Sequence, residues 1–70
     1  MRNTYTAILK RHGEWWIGWV EEVPGVNCQE RTREELRESL REALADILDL
    51  NREAARALAV EDYEEEAIVA

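Results

Sequence analysis

Seventy residues close a single core that buries only about 60% of its unfolded surface, so residues 1–70 are read as one domain, marginal unless it associates. One cysteine and one histidine, Cys28 and His12, exclude an intrachain disulfide and a four-ligand Cys/His zinc set. Sixteen acidic against nine basic side chains, a formal charge of −7, disfavour direct contact with nucleic acid and favour a basic protein partner.

Asn3 to Arg11 alternates loosely and carries β-branched and aromatic residues, the pattern of a first strand. Tyr5, Ala7 and Leu9 fall on one face, and Thr4, Thr6, Ile8 and Lys10 on the other. His12-Gly13 makes a short turn into a second, antiparallel strand around Trp15–Val20. This strand organises the chain. Trp15, Ile17 and Trp19 lie on one face and Trp16, Gly18 and Val20 on the other, and both faces are apolar. Each therefore needs a cover, because a wetted face would alternate apolar with polar residues. Val23-Pro24-Gly25 ends the strand, and Val26 to Glu30 can return as a short third one.

Thr32 opens a helix. Thr32 and Glu35 have capping-box spacing, in which the threonine hydroxyl accepts from the Glu35 N–H and the Glu35 carboxylate reaches back to the Thr32 N–H. Leu36, Leu40, Ala43, Leu44, Ile47 and Leu48 recur at steps that build one apolar stripe, with Glu34, Arg37, Glu38, Arg41 and Glu42 on the solvated face. The stripe continues through Leu50, Ala54, Ala55 and Leu58. A helix from Arg33 to Ala59 would be about 40 Å long, against about 20–30 Å of sheet. A break is therefore expected near Leu50-Asn51, with Asn51 capping a second short helix. Ala67-Ile68-Val69 is expected as a last edge strand. The order is β-β-β-α(α)-β: an α+β fold of three antiparallel strands plus a C-terminal edge strand, with helix packed on one face.

Catalytic chemistry has little to work with. His12 sits beside a turn glycine, and Cys28 reads as a small apolar filler with no adjacent base. Gly13, Gly18 and Gly25 lack phosphate-loop spacing, and the strand interiors bring no carboxylates together. No enzyme activity, cofactor or metal is expected. A glycine inside a strand marks a close approach, so Gly18 identifies the face the helix covers, and Trp16 and Val20 should be core. Trp15, Ile17 and Trp19 then become the candidate interface for a partner or a second subunit, where tryptophan is enriched. A homo-oligomer, most simply a dimer, follows from the two-sided apolar strand. No run approaches the ~20 apolar residues of a membrane span and no signal-peptide pattern opens the chain, so the expected location is the cytoplasm.

Several of these features occur in an order that resembles the HicB-type antitoxin family. That family often reads as a tyrosine-bearing strand, then Asp/Glu-Leu-Pro-Gly-Cys, then Thr-x-x-Glu at the head of a helix. Glu22-Val23-Pro24-Gly25 and Thr32-Arg33-Glu34-Glu35-Leu36 match at the proper separation, and Tyr5 and His12-Gly13 fit as well. Val26 stands where the cysteine is common. The resemblance covers about residues 3 to 50. It implies a truncated ribonuclease-H-like fold without the catalytic acids, whose last strand runs parallel to the first. It also implies a protein that blocks HicA, a small basic ribonuclease acting on messenger RNA. Many members add a C-terminal DNA-binding domain; with the sequence ending at Ala70, the antitoxin domain alone is expected. The functional expectation is a non-enzymatic antitoxin-like protein that covers a HicA-type toxin. The alternative is a self-associating regulatory or scaffold domain with no toxin, and a retained metal-dependent nuclease is disfavoured by the missing carboxylates.

Overall fold

Gly13, at φ +65°, turns the chain between two six-residue strands, β1 (Ala7–His12) and β2 (Trp15–Val20). A computed structural model describes residues 4–70. β3 (Asn27–Glu30) completes an antiparallel sheet of order β1-β2-β3, with β1 and β3 at its edges. Gly18 is the hub of the register, opposite Leu9 on one side and Cys28 on the other. The first strand is shorter than its sequence pattern. Asn3 lies outside the described residues, and at Thr6 a side chain replaces the ladder: the Thr6 N–H donates to the Glu22 carboxylate at 2.8 Å. The Glu21 N–H still donates to the Thr6 carbonyl at 2.9 Å.

The connection from β2 to β3 tightens through Gly25, at φ +91°, and the Val20 N–H donates across it to the Val26 carbonyl at 3.3 Å. Val23 and Val26 are thereby turned inward and close one end of the core. Thr32 is extended (φ −124°, ψ 158°) and caps α1 (Arg33–Ala59). Its hydroxyl oxygen accepts from the Glu35 N–H at 3.1 Å, as the spacing requires. The return contact differs from the expected capping box: the Glu35 carboxylate accepts from the Thr32 hydroxyl at 2.9 Å. The core is Val20, Val23, Val26, Leu36 and Leu40, with Tyr5, Leu9, Trp16, Leu44 and Ile47 packed at its margin.

Two expectations at the C-terminal end are corrected. There is no break near Asn51, since α1 is one helix of 27 residues. No glycine or proline falls within it, and Arg52–Ala59 is built largely of alanine, arginine and leucine, all good helix formers. An Arg52–Asp49 pair at 3.1 Å spans the expected break point. The helix therefore overruns the sheet, and the molecule measures 51 × 22 × 15 Å. It stops at Val60, which takes φ +68° while its N–H still reaches the Arg56 carbonyl at 3.2 Å.

The second correction is the last edge strand. Residues 60–70 form no strand, and Ala67, Ile68 and Val69 are exposed. The overrun explains this. Glu65 is held against the distal end of α1 by Arg56 at 3.1 Å. Glu65 therefore lies beside the solvent-exposed part of α1, past Leu48, the last helix residue packed at the core. The shown architecture is thus α+β: three antiparallel strands and one long helix. Among the described residues, no helix is long and apolar enough to cross a membrane.

Candidate functional site

Gly18 decides which face of the sheet is free. A Cβ built there would stand 3.0 Å from Leu40 Cδ1, 3.1 Å from Leu36 Cδ2 and 2.7 Å from the Ile8 carbonyl oxygen. Only glycine lets α1 settle this closely, so Trp16, Gly18 and Val20 face the helix. Val20 is buried, and Trp16 packs at the core margin, half-buried, with the Arg11 guanidinium carbon 5.6 Å from its ring centroid. Sequence reasoning places Trp16 fully in the core; its position opposite Arg11 and Glu30, in the last register pair of β2 with β3, leaves one side open.

Trp15, Ile17 and Trp19 project from the opposite face. Trp19 is 41% exposed, the most open of the three indoles, while Trp15 and Ile17 are half-buried. The register sets their neighbours. Ile8 and Asn27 flank Trp19, Lys10 and Gln29 flank Ile17, and His12 flanks Trp15. Among the paired strand residues this outer face carries no carboxylate. The one acid in the ladder, Glu30, sits opposite Trp16 on the helix side and accepts from the Ser39 hydroxyl at 2.7 Å.

Arg31 adds a member to the site that sequence reasoning did not single out. Its guanidinium carbon lies 4.1 Å from the centroid of the Trp15 ring, a cation–π contact worth about 0.5–1 kcal/mol at an exposed position. The alternation Asn27, Gln29, Arg31 points to the outer face, so the period of β3 carried part of the signal. The arginine covers part of the Trp15 ring, and Trp19 remains the most exposed of the three indoles.

The reactive side chains do not assemble. His12 is exposed at the end of β1, and burial, helped by the nearby Glu30 charge, pushes the Cys28 thiol above its ordinary range, away from the thiolate a nucleophile needs. Among the described residues no three His, Cys, Asp or Glu side chains group into a metal site. What the outer face offers is two indoles and two isoleucines rimmed by amides and cations, the composition of a protein-binding patch. The chain matches no protein-family model, no curated protein and no solved structure.

Proposed function

We propose that this chain is a non-enzymatic binding protein of the HicB antitoxin type, which neutralises a small basic HicA-type ribonuclease by covering its RNA-binding surface. The observation that carries the reading is the uncovered outer face of β2, where Trp15, Ile17 and Trp19 have no partner layer while α1 covers the other face. The match of Glu22-Val23-Pro24-Gly25 and Thr32-x-x-Glu35 to the family pattern supplies the class of partner. Division of labour follows from the charge. The net −7 raises the rate of encounter with a basic protein, although these charges lie off the outer face, whose paired strand residues include no acid. The indoles supply the contact energy, because aromatic anchors dominate most interfaces.

The test is inhibition of a HicA-type ribonuclease encoded beside this chain. The purified protein should block cleavage of a reporter messenger RNA stoichiometrically, and should cleave no RNA itself with magnesium or manganese. Trp19→Ala should weaken the complex about thirtyfold, the equivalent of about 2 kcal/mol for a hot-spot tryptophan, with the thermal midpoint unchanged. Inhibition that survives Trp19→Ala undiminished removes the outer face from the reading, and metal-dependent cleavage by the pure protein removes the non-enzymatic one.

A further inference from the structure

The chain's charge is segregated. Residues 49–70 hold seven acidic and two basic side chains, so five of the seven net negative charges lie in the distal helix and the tail. The same region holds the most exposed large apolar side chains among the described residues, Leu58 at 86%, Ile68 at 82% and Val69 at 84%. An acidic, apolar segment of this kind calls for a cover that is both greasy and cationic.

Such a cover exists on the fold. A groove of about 490 Å³ runs between the free edge of β1 and α1, floored by Tyr5, Leu9, Leu40 and Leu44. Arg33, Arg37 and Arg41, one helical turn apart, form its rim. Arg41 is held by Glu38 at 2.7 Å, while Arg33 and Arg37 make no ion pair among the described residues. Its β1 wall is a strand edge with unpaired backbone groups, able to accept an added strand.

We propose that the tail of one copy, residues 60–70, docks in the arginine-rimmed groove of a second copy and adds a strand to the edge of its β1, in a reciprocal two-fold dimer. Glu64, Glu65 and Glu66 meet the arginine rim, and Ile68 and Val69 meet the apolar floor. In each copy the tail lies outside its own groove, with Glu65 on Arg56 of the distal helix at 3.1 Å, and docking exchanges that exposed pair for the neighbour's arginine rim. The helices give the arrangement its frame. Leu50, Ala54 and Leu58 continue the stripe of Leu36, Leu40 and Ile47 past the sheet. Two distal helices crossing antiparallel at Ala54 place Leu50 of each against Leu58 of the other. Each tail then begins beside residue 48 of its neighbour, about 22 Å of helix from Arg33. Eleven extended residues cover about 36 Å. One symmetric contact thereby covers the distal stripe, the tail and the groove together. It is independent of the outer sheet face and of any toxin.

Charge reversal tests it. Wild-type chain should sediment as a dimer of the 8.2 kDa protomer across micromolar concentrations. Arg33→Glu/Arg37→Glu, which reverses the rim, and Glu64→Arg/Glu66→Arg, which reverses the tail, should each raise the dimer dissociation constant at least about tenfold. An equimolar mixture should restore a heterodimer, because each reversed tail then finds a reversed groove. Far-ultraviolet circular dichroism checks that both variants keep their fold, and Ile68→Asp gives a third disruption that leaves the arginines alone. A wild-type monomer overturns the proposal. So does a mixture that stays monomeric, as a tail folded back on its own groove would give. A dimer that resists both reversals but dissolves in Trp19→Ala overturns it equally, by placing the subunit contact on the outer sheet face. Toxin inhibition in the reversed variants reads the functional proposal separately, since the outer face is untouched in both.

Discussion

From Arg33 to Leu48 the apolar stripe of α1 lies against a sheet, and from Asp49 to Ala59 the same stripe lies in solvent. The periodicity barely changes between the two halves, yet Leu36 is wholly buried and Leu58 is 86% exposed. Burying a leucine is worth about 1.5–3 kcal/mol relative to leaving it in water, so the halves are held by different means. The proximal half is held by tertiary packing at Gly18. The distal half is held by helix propensity and by elongation from an existing helix, which avoids the cost of nucleation. Amphipathic spacing fixes which way side chains face; whether anything covers them depends on the extent of the neighbouring layer.

Substitutions that should cost much in one half and little in the other sharpen the contrast. Leu36→Ala should lose about 2–5 kcal/mol, the range for truncating a buried leucine. Leu58→Ala, at concentrations where the chain is monomeric, should stay within about 0.5 kcal/mol of wild type. Urea midpoints at constant slope measure both, and equal losses would erase the distinction between the halves. Gly18→Ala comes next, at about 1–3 kcal/mol, because the added methyl would stand 2.7 Å from the Ile8 carbonyl oxygen and press on Leu36 and Leu40 as well. A neutral result there would mean that the helix does not set its distance at this residue. Thr32→Ala should cost about 0.5–2 kcal/mol as a lost N-cap. Hydrogen exchange should show the loss spreading through the packed half, because the cap begins the part of α1 that carries the core.

The packed half was largely legible in the sequence. Thr32 and Glu35 announced the helix start, and Gly18 within an aromatic strand announced the close approach. The parity of Trp15 to Val20 sorts the two faces as the structure has them. The unpacked half was misread because the expected break assumed that a helix must end where its sheet ends. Nothing between Arg33 and Ala59 obliges it to, with Asp49 and Asn51 the weakest helix formers near the expected break and too mild to end the helix. The last strand failed for a related reason. Ala67-Ile68-Val69 has strand composition, but composition cannot supply the edge to pair with, and the overrunning helix carries the segment away from its own. Arg31 lies one residue past the end of β3, where strand periodicity alone does not fix which face a side chain takes.

The overrunning helix also governs how the molecule moves through water. A compact chain of this length would have a radius of gyration of about 11 Å, whereas the Cα trace gives 15.1 Å. A rod-like protomer of this kind drags against solvent like a heavier sphere, so it leaves a sizing column early. Two such rods lying antiparallel with their distal halves side by side add mass faster than length. Association should therefore raise the sedimentation coefficient sharply while lengthening the diffusion time only modestly.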